Sequence, residues 1–278
     1  MSEPLFKYIS QSLLNMAGKC GMQVYHRHIK GIIIPPGFAA HRGTAVHKAA
    51  QADAEAKREK QSEFGLTVAE MIDVAADAFE KKVSEDGVYL NAEEAQFANT
   101  LKADAKDTAI VATKLYGNEV AKRIRTPKLI EETVTMDVDG LSYPLGGTID
   151  LVHVADGKHR IQDIKTTEKR MFDGIATHTL QAPLYTMLAE SVLDGETPDF
   201  DYEYLVIQKT KQDNVTIPAI VNKQSRVNIV ERARVLERAL QAGIFQPAPR
   251  DAWWCSEKSC GYWGICPFGA KQTVQVAL

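Results

Sequence analysis

The sequence has no apolar run approaching the length that spans a bilayer. It opens Met1-Ser2-Glu3-Pro4, without the basic-then-apolar pattern of a secretory signal. Both absences predict a cytoplasmic protein with no membrane partner. Positive charge is not in excess: 33 Lys and Arg against 36 Asp and Glu give a formal net charge of −3. That excludes a chain coated in basic residues and confines any nucleic-acid contact to local patches. No G-x-x-x-x-G-K-[ST] loop is present, so ATP-driven work would have to come from another protein. The seven histidines form no HExxH pair of the kind zinc hydrolases place on one helix. Cysteine is scarce, with only Cys20, Cys255, Cys260 and Cys266 in 278 residues. In a reducing compartment so few thiols argue against structural disulfides and for a four-thiolate metal or cluster site.

What is present is ordinary for a soluble globular chain, with 45% apolar and 25% charged residues. The length is ample for a buried core in one unit spanning 1–278. Ser10 is a suitable N-cap for a helix through Leu13, Leu14 and Met16, and Gly18 and Gly21 bracket its end beside Cys20. Tyr25-His26-Arg27-His28 combines aromatic and basic character, suited either to nucleic acid or to a solvated surface. After Pro35-Pro36-Gly37 a helical pattern covers about 38–60 and contains Arg42-Gly43-Thr44-Ala45-Val46-His47. Gly43 and His47 share a helical face, so a missing side chain at Gly43 would let another backbone approach the imidazole. Two further helices at about 66–86 and 91–117 complete a mainly helical subregion, 38–125.

From about residue 129 the periodicity changes to strands, at 129–138, 141–154, 159–166, 202–208 and 215–221. Helices are expected at 175–193, starting late or kinked at Pro183, and at 226–242. Strands flanked by helices define an α/β core over 126–242. Basic clusters at Lys122, Arg123, Arg125 and Lys128, at Lys165, Lys169 and Arg170, and at Lys209 and Lys211 are candidate DNA contacts or simply solvated faces.

The chemistry concentrates on Gly147-Thr148-Ile149-Asp150 and Asp163-Ile164-Lys165. Ala155-Asp156-Gly157-Lys158 reads as a hairpin turn, because a type I′ turn needs φ > 0 at both central residues. If Ala155 faces Lys158, pairing back along the arms sets Asp150 opposite Asp163, with Cβ atoms about 4.5–5.5 Å apart. Lys165 falls on the same face by the period of two. Two carboxylates and a lysine suit a divalent-metal phosphodiesterase, in which the carboxylates hold Mg²⁺ or Mn²⁺. The same residues also fit a solvated hairpin face with an incidental acid pair. Glu131 or Glu132 on the preceding strand could join the acidic face. At the other end, Cys255-x4-Cys260-x5-Cys266 supplies three thiols, and Cys20 is the only other one. A four-cysteine site would therefore staple 243–278 to the N-terminal region, holding a [4Fe–4S] cluster or Zn²⁺. Trp253, Trp254, Tyr262 and Trp263 would shield it.

Taken in order, Ser10-x-Ser12-x-Leu14, Cys20, Gly43-Thr44-x-x-His47, Gly147-x-Ile149-Asp150, Asp163-Ile164-Lys165, Gln181-x-x-x-Tyr185 and the three late cysteines resemble the RecB-like branch of the PD-(D/E)XK nuclease superfamily. The likeness is to its iron–sulfur exonucleases, including the AddB-type nuclease domain and CRISPR-associated RecB-like nucleases, and it covers nearly the whole chain. It implies a restriction-endonuclease-like core: a mixed central sheet flanked by helices. It implies that His47, Asp150 and Asp163, with the carbonyl of Ile164, hold Mg²⁺ or Mn²⁺. Lys165 would position or polarise the attacking water, and Gln181 and Tyr185 would orient the DNA backbone. Cys20, Cys255, Cys260 and Cys266 would carry a structural [4Fe–4S] cluster. The implied activity is a metal-dependent deoxyribonuclease, an exonuclease on single-stranded or frayed DNA ends, working beside a helicase, a recombinase or other DNA-processing proteins. Phage recombination, host repair and CRISPR spacer acquisition all accommodate it. The departure is the four-residue gap after Cys255, where the family pattern is usually C-x2-C. The alternatives are a catalytically silent, cluster-stabilised DNA-binding protein and a zinc-stapled nuclease.

Overall fold

The computed structural model describes residues 5–169 and 179–269. A five-stranded mixed sheet runs in the order β1 (Pro127–Met136), β2 (Leu145–Ala155), β3 (Lys158–Thr167), β4 (Asp199–Ile207), β5 (Gln212–Pro218). All neighbours are antiparallel except β3 and β4, which are parallel. Asp156 and Gly157 have φ of 51° and 75°, the two left-handed residues a type I′ turn requires.

Helices cover both faces, as the apolar periodicity demands. On one side α1 (Gln11–Lys19), which is followed by the one-turn α2 (Gly21–Val24), packs with α6 (Gln181–Glu190) and α7 (Lys223–Gln241) over Ile149, Val152, Ile161 and Tyr202. On the other, α3 (Phe38–Lys60), α4 (Val68–Asp86) and α5 (Ala98–Leu115) pack over Ile130, Leu151, Ile164 and Leu205. The inner stripe of α3 is mostly small, with Ala45, Ala49, Ala50 and Ala54 buried, so α4 and α5 can approach it closely. Deeper along the same stripe lies a buried ion pair. Lys57 Nζ sits 2.7 Å from Asp53 and donates to Ala121 O at 2.6 Å, while Asp53 accepts from Leu66 N at 3.0 Å.

Local chemistry moves several boundaries from the positions periodicity gives. The second strand starts at Leu145 and not near 141, because Pro144 has no N–H for the ladder and the amides of Ser142 and Tyr143 donate to Glu237 on α7. The helix expected from 91 begins only at Ala98: Asn91 Oδ1 accepts from the amides of Glu93 and Glu94, holding a 3₁₀ turn ahead of it. Helix α6 starts at Gln181, so Pro183 sits in its first turn, where the missing N–H has no partner to lose. The 175–178 part of that expected helix, like Arg170 in the basic cluster, lies outside the described residues. Among the described residues no helix is long and apolar enough to cross a membrane.

Candidate active site

Pairing between β2 and β3 runs from Ala155 opposite Lys158 to Leu151 opposite Gln162 and stops there. The next pair in that register would be Asp150 and Asp163. Beyond this point β2 remains paired to β1 and β3 to β4, so the two strands part and both aspartates face the fork. The expected register is therefore correct, but the ladder ends one step short of the acids, which gives them room to share a ligand.

Five more side chains converge on the fork. His47, from α3, places Nδ1 3.2 Å from Asp150 Oδ2 and 3.9 Å from Glu131 Oε1. One ligand atom from each of these three residues lies within 4.8 Å of the others. The other ring nitrogen, Nε2, donates to Ile164 O at 2.7 Å. That bond fixes the ring and turns Nδ1 towards the carboxylates, so the Ile164 carbonyl orients the imidazole in this arrangement. Lys165 Nζ lies 2.7 Å from Asp163 Oδ2, and Gln181 Nε2 donates to Asp163 Oδ1 at 2.5 Å. Tyr185, one turn along α6, packs against Gly147 so closely that a Cβ there would stand 2.7 Å from the ring. Gly147 is thus required by close approach. Gly43 is not, since a Cβ there would meet only Thr166 Oγ1 at 4.0 Å; the imidazole reaches Ile164 without help from that glycine.

Glu131 is the residue that periodicity left among mere possibilities. It sits in β1 with φ of +48°, a conformation a non-glycine strand residue rarely adopts, and its carboxylate joins His47 and Asp150. Backbone strain of this kind at a charged cluster is characteristic of functional sites, and a period-two pattern cannot show it.

The electrostatics of the fork are those of acids competing for too few cations. Burial would lower the His47 pKa, but Asp150 and Asp163 outweigh it and raise the imidazole to about 9. Burial drives Asp163 upward; Lys165 opposes this and the Asp150 charge reinforces it, leaving the carboxyl at about 7. Glu131 is likewise raised by burial and by Asp150. Tyr185 is pushed well above its ordinary value by burial and by both aspartates, so it stays a neutral hydroxyl.

The four cysteines also converge. Cys20, Cys255, Cys260 and Cys266 line one chamber together with Trp254, Tyr262 and Trp263, whereas Trp253 is exposed. Trp254 Nε1 donates to Lys19 O at 3.4 Å, and Gly21 N donates to Gln246 O at 2.7 Å, so the two distant segments touch through backbone as well. The Tyr25–His28 segment forms a π turn in which His26 is buried and Tyr25 packs on Phe245, so these two rings serve packing. Of the basic clusters, Arg123 is committed to Glu203, Asn214 and Thr216, and Lys211 to Asp213.

A sheet that forks at two aspartates followed by a lysine is matched at the level of sequence, where the family model of the PD-(D/E)XK nuclease superfamily covers residues 8–267. The chain belongs to that superfamily. Among individual relatives, the Gene 69 protein of Mycobacterium phage L5 is 26% identical over 162 residues, 57% of this chain and 51% of the phage protein. The chain thus spans about half the length of that relative. The Gene 69 protein of Mycobacterium phage D29 is 23% identical over 257 residues, 86% of this chain and 90% of the phage protein. The solved structure of a candidate exonuclease from Eubacterium rectale superposes with a TM-score of 0.56 at 14% identity over 90% of each chain, a likeness of fold.

PD-(D/E)XK nucleases typically use divalent metals, and the donor set of this chain fits one. Three carboxylates and an imidazole offer hard oxygen with a single nitrogen, suited to Mg²⁺ and better to Mn²⁺. Among the described residues, Asp150 Oδ2 and Asp163 Oδ2 are buried acceptors that face an ion-pair partner each, the His47 imidazole and the Lys165 ammonium. The thiol chamber likewise fits a four-thiolate centre, since all four cysteines are free and face one enclosed space.

Proposed function

We propose that this chain is a metal-dependent DNA exonuclease that hydrolyses phosphodiester bonds at single-stranded or frayed ends. The observation carrying the proposal is the fork itself, where Asp150, Asp163, Glu131, His47 and Lys165 meet. His47, Asp150 and Asp163 are the proposed ligands of Mg²⁺ or Mn²⁺, and Glu131 joins them. The bound ion would supply a Lewis acid for the scissile phosphate and a lowered pKa for its water. Lys165, partly exposed beyond Asp163, steadies the negative charge developing on the phosphate and holds the attacking water. Gln181 bridges Asp163 to Tyr185 and, through its own amide and the Tyr185 hydroxyl, offers donors to a DNA backbone entering the fork. The parting of β2 from β3 gives a strand end somewhere to enter.

The four cysteines are proposed to hold a [4Fe–4S] cluster, as in the iron–sulfur branch of the superfamily, with Zn²⁺ as the alternative occupant. Phage relatives support a role in phage DNA recombination or end processing, beside a helicase or recombinase that supplies the ATP-driven step. The test is digestion of end-labelled single-stranded DNA with Mg²⁺, Mn²⁺ or chelator. Asp163→Ala or Lys165→Ala protein that degrades the label at the wild-type rate would sink the assignment. DNA binding without metal-dependent cleavage in the wild-type chain would favour the silent DNA-binding protein.

A further inference from the structure

We propose that His26 and Gln23 are N–H donors to the sulfurs of the centre held by Cys20, Cys255, Cys260 and Cys266, and that they compensate its negative charge. The inference rests on the cysteine reading above and goes beyond it. Cys20, Gln23 and His26 follow one another at intervals of three along a short helix, Gly21–Val24, and the π turn Tyr25–Ile29 that continues it. All three line the thiol chamber. Gln23 Nε2 already donates to Cys260 Sγ at 3.8 Å. His26 is 5% exposed, stacks on Tyr262 with centroids 5.3 Å apart, and forms no hydrogen bond through either ring nitrogen among the described residues. The Tyr262 hydroxyl is turned away, donating to Ile32 O at 3.0 Å. A buried imidazole left without a partner beside four thiols needs an explanation, since nearly all such groups in native proteins are paired.

The charge of the chamber supplies it. Four thiolates around Zn²⁺ or a [4Fe–4S]²⁺ core carry a net charge of about −2. No lysine or arginine lines the chamber among the described residues. Burial and mutual repulsion push the Cys255 thiol upward, with only Arg250 opposing, and Cys266 is raised first by burial. Enclosed by Trp254, Tyr262, Trp263 and Phe268, N–H dipoles act in a low dielectric, where each counts for more than in water. A neutral imidazole carries one ring N–H and its cation two, so the ring has an N–H to give in either state.

The experiment uses the full chain purified without oxygen, with iron, sulfide and zinc quantified in the wild type, His26→Phe, His26→Gln and Gln23→Leu. Phe keeps the stacking on Tyr262 and removes the N–H; Gln restores a donor. In an iron–sulfide protein, hydrogen bonds to sulfur favour the more negative reduced state. The midpoint potential is therefore expected to fall in His26→Phe and Gln23→Leu and to recover in His26→Gln. In a zinc protein, a chromogenic chelator is expected to strip His26→Phe about tenfold faster than wild type. Metal-loaded variants with unchanged potential or release rate overturn this inference and leave the cysteine reading standing. A wild-type chain that binds neither metal overturns both. Should His26→Phe fail to fold, Gln23→Leu, on the more exposed side of the chamber, decides.

Discussion

An ion entering the proposed metal site at the fork would have to displace protons, and the electrostatics of the fork say how many. With His47 titrating at about 9 and Asp163 at about 7 in the metal-free protein, both carry a proton at pH 6. Only His47 does at pH 8. An ion that takes both groups as ligands releases about two protons below pH 7 and about one between 7 and 9. Each proton released changes the apparent affinity tenfold per pH unit, or about 1.4 kcal/mol. Lowering the pH from 8 to 7 should therefore weaken Mn²⁺ binding about tenfold and from 7 to 6 about a hundredfold, together roughly 4 kcal/mol. Titration calorimetry in two buffers of different ionisation enthalpy counts the protons directly at each pH. Replacing His47 with Gln should remove one proton from the count and flatten the slope between pH 7 and 9. Mn²⁺ affinity that is independent of pH from 6 to 8 would refute the ligand set.

Three other outcomes follow from single contacts. Glu131→Gln should weaken Mn²⁺ binding about tenfold or more in the same calorimeter, because it removes one of the two carboxylates grouped with the imidazole. Gly147→Ala should cost about 1–3 kcal/mol in urea unfolding, since its Cβ would stand 2.7 Å from the Tyr185 ring, and Tyr185→Ala in the same chain should recover part of that loss. Lys57→Met should destabilise by about 3–5 kcal/mol, because Asp53 would be left as an unpaired charge 1% exposed on the inner face of α3; an unfolding midpoint equal to wild type would contradict this.

The turn at Asp156 and Gly157 was legible in the sequence because its positive φ values belong to residue types that tolerate them. The turn then sets the register, and with it the relation of Asp150 to Asp163 and Lys165. His47 could be suspected but not placed, since its approach to Ile164 depends on how α3 docks on the sheet. The fork was not legible: β3 pairs in parallel with β4, a partner more than thirty residues on, and stays on it after the ladder with β2 has ended. Glu131 could be named only as one of two candidates beside Glu132 for a related reason, because alternation assumes a regular strand and its φ of +48° is not regular. The start of β2 was misplaced because the amides of Ser142 and Tyr143 answer to Glu237, about ninety-five residues later.

The donors at the fork come from opposite sides of the sheet. His47 rides on α3, which belongs to the core under α4 and α5, while Gln181 and Tyr185 ride on α6, which belongs to the core under α1 and α7. Neither helical layer can open without dismantling part of the site. An ion or a DNA end bound there penalises partial opening of both layers at once, so the slowest-exchanging amides of α3 and of α6 should gain protection together. The site thus acts as a thermodynamic tie between the cores on the two faces of the sheet.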